Sequence, residues 1–183
     1  MPSARSRLLL PGLALLTLTG LIHTQGYSQD PDKQLPLTAD LFDCLTDMTK
    51  ATAGDFYVDN ILGDLDATLA VANSPTGGGY PPGSVVSLIP TEIMVKHQEG
   101  WNPATNDWEF IELDVSTGNS VFAARGTTEV VNRFGDNCYG CHQLARPEWD
   151  LICGTGHGCA PLSVPRDFIL GLQLSDPRCS RED

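Results

Sequence analysis

The chain has 183 residues, of which 23 are acidic and 11 are basic, giving a net charge of −12. Nucleic acids and anionic membrane surfaces require clusters of basic residues, and the sequence contains none, so we expect neither as a partner. Hydrophobic residues make up 41% of the chain, enough for one domain with its own core. The acidic surface favours solubility, or contact with a basic redox partner protein.

Residues 1–29 have the features of an export signal that is removed from the mature protein. Arg5 and Arg7 give a positive start, and an apolar run follows over residues 8–22. A membrane anchor is less favoured because a spanning helix needs ~20 apolar residues. Export to the periplasm or beyond would place the six cysteines where disulfides persist. The mature chain would carry nine basic and 23 acidic residues, a net charge near −14.

The mature chain begins with polar residues and prolines over 30–37, which predict a flexible leader before a single domain over 38–183. At the start of that domain, apolar residues recur at the spacing of one helical face. The positions are Leu41, Phe42, Leu45 and Met48. With Thr38 as the N-cap, this pattern predicts a helix.

The middle of the chain is predicted to form strands. Glycine and proline are concentrated over 74–84 and predict a loop. Behind it lie four short runs rich in β-branched and aromatic residues, typical of an antiparallel meander: SVVSLIP, TEIMVKHQ, DWEFIELDVS and NSVFAARG. Imperfect alternation in the third run indicates a bulge, and a second short helix is predicted over 127–135. These features predict an α+β fold, a curved antiparallel sheet with flanking helices.

The sequence NCYGCH contains a C-x-x-C-H motif formed by Cys138, Cys141 and His142. Two thiols three residues apart can reach the two vinyl groups of one haem, and the adjacent histidine can bind the iron as its proximal ligand. We therefore predict that these three residues hold one covalent haem c.

Three other interpretations of the motif stay open. A redox dithiol of the thioredoxin kind would require a long helix after the first cysteine, and Pro147 interrupts such a helix. A zinc site would need a second pair of ligands, for which Cys153, His157 and Cys159 are the candidates. A disulfide between the two cysteines of the motif would leave the histidine without a role.

The remaining four cysteines form an even set, and two disulfides are expected in an oxidising compartment. The short glycine-rich gap in CGTGHGC favours a bond between Cys153 and Cys159. Cys44 and Cys179 would then connect the start of the domain to the C-terminal tail.

The order of these features resembles the cytochrome P-460 family and its relative cytochrome c-prime-beta. The resemblance lies in segments 80–97 and 130–150, with the turn YPPGS, the strands that follow it and the run VNRFGDNC before the motif. Small helical cytochromes c instead carry the motif near the N-terminus. The resemblance implies a mainly antiparallel fold, often a homodimer, that holds one five-coordinate haem c. His142 would be proximal, and the other face would be open to nitric oxide or hydroxylamine.

The enzymatic branch of that family has a lysine cross-linked to the porphyrin, which tunes it for hydroxylamine oxidation. The matching strand here, SVVSLIP, has no lysine, and Lys96 on the next strand is the nearest one. The resemblance therefore favours a ligand-binding or electron-transfer protein over a hydroxylamine or nitric oxide oxidoreductase. A disulfide-stapled binding module without haem is a further hypothesis.

Two residues are candidates for a distal iron ligand. Met94 and His97 both carry ligating side chains and lie on the second predicted strand. Alternation along a strand places them on opposite faces of the sheet, so we expect at most one of them to ligate the iron. A second ligand would close the iron and make the protein an electron carrier.

Overall fold

The structure is a computed structural model that describes residues 29–179. Six strands form one open antiparallel sheet in which spatial order follows chain order. They are β1 (Thr49–Lys50), β2 (Tyr57–Asn60), β3 (Ser84–Ile89), β4 (Glu92–Lys96), β5 (Trp108–Asp114) and β6 (Val121–Gly126). The predicted meander and the α+β class are therefore confirmed. Within residues 29–179, no helix is long and apolar enough to cross a membrane. The predicted export signal lies, except for Gln29, outside the described residues.

Over residues 29–179, three short α-helices accompany the sheet: α1 (Leu65–Ala72), α2 (Cys138–His142) and α3 (Arg166–Leu174). Helix α1 begins at its N-cap Asp64, whose carboxylate accepts the Ala67 N–H. A buried chain of hydrogen bonds ties α1 to the sheet. In it the Thr68 hydroxyl accepts from the Asn60 amide at 3.0 Å and pairs with the Ser84 hydroxyl at 2.8 Å.

Both faces of the sheet are covered, because its strands present apolar side chains on either side. One face carries what we call the first core, and the cysteine motif packs against it. Its members include Phe56, Val58, Tyr80, Val86, Met94, Trp108, Phe110, Val130 and Ile152. The other face carries the second core: Phe42, Val85, Ile93, Val95, Ile111, Leu113 and Val115. The predicted bulge is present in β5, where the register with β6 shifts between Glu112 and Leu113.

The helix predicted at the start of the domain is wrong. The chain instead makes two 3-10 turns, Ala39–Leu41 and Leu45–Asp47, separated by non-helical backbone that is extended at Phe42. Phe42 is pulled into the second core, and the Leu45 N–H donates to the carboxylate of Asp176 at 2.8 Å. Distant contacts thus override a periodic pattern that was only two turns long.

The helix predicted over 127–135 is also wrong. Val131 and Asn137 form an isolated antiparallel bridge, and the chain turns between them. The side chain of Asn132 accepts hydrogen bonds from the N–H groups of Phe134 and Asp136, both at 2.9 Å. Asparagine competes in this way with helical hydrogen bonds, so a turn replaces the helix.

Residues 30–37, predicted as a flexible leader, are tied to the loop that follows β4. The Asp30 N–H donates to the Trp101 carbonyl at 2.8 Å, and the Gln98 N–H donates to the Lys33 carbonyl at 3.1 Å. Leu35 is only 7% exposed. The partners lie far away in sequence, which is why local composition gave no sign of this docking.

The four cysteines outside the motif are paired as the sequence favoured. Cys44 bonds to Cys179 across 135 residues, and Cys153 bonds to Cys159 across six. The first disulfide joins the beginning and the end of the described chain, and the second closes a small loop after the motif.

The two disulfides should differ in their effect on stability. Loop-closure entropy predicts that a Cys44→Ala/Cys179→Ala variant loses ~5 kcal/mol of unfolding free energy, whereas Cys153→Ala/Cys159→Ala loses ~2 kcal/mol. Denaturant titration of each variant, followed by circular dichroism, measures both losses. Equal losses would show that loop length does not govern the contribution of these bonds.

Candidate functional site

The cysteine motif forms the short helix α2, which Asn137 fixes at its first turn. The Asn137 side-chain oxygen accepts the Gly140 N–H at 2.7 Å, as expected of an N-cap. Its amide nitrogen donates to the Val130 carbonyl at 3.2 Å, and the Cys138 N–H donates to the same carbonyl at 3.0 Å. Residues at positions i and i+3 share one face of a helix, so Cys138 and Cys141 lie side by side.

The two thiols of the motif are free. Within residues 29–179, which include all six cysteines of the chain, Cys138 and Cys141 are the two that form no disulfide. Both are partly buried, and Cys138 packs against the first core. The interpretation of the motif as a disulfide therefore has no support in the structure.

The thiol of Cys138 is held in its protonated form. Burial raises its pKa to about 12, and the carboxylates of Glu92 and Glu112 add to the shift. These two glutamates are direct partners in the register of β4 and β5. Redox dithiols react through a thiolate whose pKa is lowered, which is the opposite environment. The thioredoxin-like interpretation is accordingly disfavoured.

The second ligand pair that a zinc site would need is already used. Cys153 and Cys159 are bonded to each other. The Nδ1 atom of His157 donates to the Ile152 carbonyl at 2.7 Å, and its ring stacks on Trp149 with centroids 3.6 Å apart. A separate group of potential ligands, Cys44, Asp176 and Cys179, is likewise occupied, because its sulfurs form the other disulfide and its carboxylate pairs with Arg178.

His142 presents one ring nitrogen for ligation. Its Nδ1 atom lies 2.7 Å from the Leu151 carbonyl oxygen, which can only accept, so Nδ1 carries the proton and Nε2 keeps its lone pair. Burial lowers the pKa of the imidazole, although the hydrogen bond to Leu151 acts in the opposite direction. The ring meets the edge of Phe110 at a centroid distance of 5.4 Å. A neutral, oriented imidazole is the form that binds iron.

The two candidates for a distal ligand lie in different surroundings. Met94 is buried in the first core, opposite Phe110 in the register and on the face that carries α2. His97 is fully buried, and both of its ring nitrogens are engaged. Nδ1 accepts the Leu35 N–H at 2.8 Å, and Nε2 donates to Glu109 at 2.8 Å. Of the two, Met94 alone lies beside the motif with an unengaged ligating atom.

A buried ion pair near the motif was not foreseen from the sequence. Lys96 donates to both carboxylate oxygens of Asp150, at 2.9 and 2.8 Å, and its ammonium lies 5.1 Å from the ring centroid of Trp108. Lys96, the lysine nearest to the strand that carries the cross-linked lysine in the family it resembles, thus forms an ion pair with Asp150. The partners are 54 residues apart, and no local pattern predicts such a pair.

A cleft of about 200 Å³ lies beside residues 149–157 and is walled by Phe56, Tyr80, Trp149 and His157. This volume is below that of pockets which enclose drug-sized ligands, so the cleft does not accommodate a porphyrin as it stands. The fit to haem c therefore rests on the donor set of α2, which consists of two free thiols on one helical face and a neutral histidine.

The chain has no match among protein-family models, curated proteins or solved structures. The donor set of Cys138, Cys141 and His142 suits attachment of a haem through two thioethers and one imidazole.

The environment of Cys138 predicts slow alkylation. In the folded, haem-free chain at mildly alkaline pH, iodoacetamide should modify Cys138 on the order of a thousandfold more slowly than in the denatured chain, because thiolate is scarce. Peptide mass spectrometry measures the rate. Glu112→Gln should raise it by removing a nearby negative charge, whereas Glu99→Gln, on an exposed loop, should not. A folded-state rate equal to the denatured rate would refute the raised pKa.

Proposed function

We propose that the protein is an exported mono-haem c-type cytochrome. The observation that carries the proposal is the state of the motif: its two thiols are free in a chain whose other four cysteines are bonded, and they adjoin an imidazole with a free Nε2. The disulfides are compatible with an oxidising compartment such as the periplasm.

In this proposal Cys138 and Cys141 would hold the porphyrin through thioether bonds, and the imidazole of His142 would bind the iron. The bound group would contribute a one-electron couple and a coordination position for a small molecule. The chain's own residues do the remaining work. The Leu151 carbonyl fixes the ring of His142 through Nδ1, and Phe110 packs against that ring from the sheet.

A small neutral ligand of the nitric oxide type suits the surroundings of the motif. The first core offers apolar side chains, among them Met94 and Phe110, which are partners in the register of β4 and β5. Glu92 and Glu112, both close enough to Cys138 to raise its pKa, disfavour anions by charge repulsion. Single-electron transfer is the companion role, and the acidic surface would suit a basic partner protein.

The enzymatic alternative, oxidation of hydroxylamine or nitric oxide, receives less support. It would use a lysine cross-linked to the porphyrin, and Lys96 is committed to Asp150 in a nearly buried ion pair. A binding module without haem would leave the two free thiols and the oriented imidazole without a purpose.

Substitutions in the motif should remove the cofactor in a graded way. We expect Cys138→Ala/Cys141→Ala to carry no covalent haem when coexpressed with haem-attachment machinery, and His142→Gln to keep the haem but lose its normal spectrum. His157→Gln is the matched control, since His157 also donates through Nδ1 to a carbonyl but lies outside the motif. Optical spectra of the purified proteins measure how much haem each variant carries and whether the haem spectrum is normal. Haem bound equally by all variants would refute the assignment.

The coordination state follows from the role of Met94. We expect the reduced protein to have a high-spin spectrum that shifts when nitric oxide is added, and Met94→Leu to leave that spectrum unchanged. The physical reason is that the side chain of Met94 is buried in the first core, where Met94 is the register partner of Phe110, so we expect it to contribute to packing and not to bind iron. A low-spin spectrum that becomes high-spin in Met94→Leu would instead identify Met94 as a sixth ligand and the protein as an electron carrier.

A further inference from the structure

The carbonyl that orients His142 belongs to a turn with unusual backbone. Asp150 and Leu151 both have positive φ, at 47° and 63°, in the left-handed region that non-glycine residues rarely adopt. Such conformations persist where the surroundings determine them. We call Asp150 and Leu151 the anchor turn. Several hydrogen bonds from distant residues hold it in place.

Four side-chain or backbone donors converge on Asp150. Its carboxylate receives both hydrogen bonds from Lys96, the Tyr80 N–H at 2.8 Å and the Asn106 amide at 3.2 Å. Its carbonyl oxygen accepts the indole N–H of Trp108 at 2.8 Å. Lys96 and Asp150 are 9% and 5% exposed, so water competes little for the ion pair. The sheet thereby holds the anchor turn through residues at the ends of β4 and β5.

The next carbonyl after Asp150 is the one that accepts the Nδ1–H of His142. Resting on the function proposed above, we propose that the Lys96–Asp150 ion pair is a positioning device for His142: it locks the anchor turn so that the Leu151 carbonyl stays aimed at Nδ1. Lys96 and Asp150 do not touch the imidazole. They act through the backbone of the turn.

A hydrogen bond from Nδ1 increases the electron donation of an imidazole to a metal. Release of the anchor turn would lengthen that hydrogen bond and weaken the donation. The iron–imidazole stretching frequency would then fall, and the reduction potential would become more positive. Neither change is expected from a general loss of stability.

The test removes both charges together, because Asp150→Asn alone would leave the buried ammonium of Lys96 without a counter-charge and risk misfolding. The variant is Lys96→Met/Asp150→Asn in the full exported chain. The matched control is Arg178→Met/Asp176→Asn, because Arg178 and Asp176 form a second buried ion pair, with side chains 3% and 0% exposed against 11% and 7% for Lys96 and Asp150. Three quantities are measured: the solvent exchange rate of the His142 Nδ1 proton by NMR, the iron–imidazole stretching frequency and the reduction potential.

We expect Nδ1 proton exchange about tenfold faster or more in the Lys96/Asp150 variant, with the lower stretch and higher potential, and no such change in the control. Unchanged exchange, or equal acceleration in both variants, would overturn the positioning role. Exchange is measurable with or without bound iron. A wild-type chain that binds no haem would therefore refute the proposed cytochrome while the exchange data still decide the role of the ion pair.

Discussion

The buried ion pair between Lys96 and Asp150 is the contact on which the arrangement of this protein depends most. It joins the end of a central strand to the segment that follows the cysteine motif. Asp150 also accepts the backbone N–H of Tyr80, so the glycine-rich loop before β3 is held at the same point. Loss of one partner of such a pair typically costs 3–5 kcal/mol, because the other charge stays buried without compensation. Three distant parts of the chain are thus made to meet beside the motif.

The cysteines divide into two classes by their environment. Four of them form disulfides, which stabilise the fold by reducing the conformational entropy of the unfolded chain. The bond between Cys44 and Cys179 closes a loop that contains nearly the whole domain. Of the other two, Cys138 lies against the first core, beside carboxylates that disfavour its thiolate. A thiol kept protonated is a poor nucleophile in thiol–disulfide exchange and is thereby protected from accidental oxidation. Four cysteines thus stabilise the fold as disulfides, and the two cysteines of the motif keep free thiols.

The strands were predictable from sequence because each of β3 to β6 lies in a short run rich in β-branched and aromatic residues, and glycine, proline or asparagine separates these runs. The first two strands and α1 were not, since β1 has two residues and α1 has a weakly amphipathic sequence. The predicted first helix failed because the Cys44 disulfide and the burial of Phe42 draw the backbone out of helical geometry.

The site was only partly predictable. Spacing alone identified Cys138, Cys141 and His142, since the chemistry of that motif is local. The anchor turn was invisible for a physical reason: its conformation is imposed by Lys96 and Trp108, which arrive from strands far away in sequence. The ambiguity between Met94 and His97 could be reduced only in three dimensions, where both nitrogens of His97 prove to be engaged.

Covalent attachment of haem at the motif can be measured by peptide mass spectrometry. The protein would be produced in cells with haem-attachment machinery and digested under reducing and non-reducing conditions. We expect the peptide containing residues 138–142 to carry the mass of one haem on its two cysteines, and reductant should not release it. The same peptide with two unmodified thiols would show that the motif does not bind haem covalently.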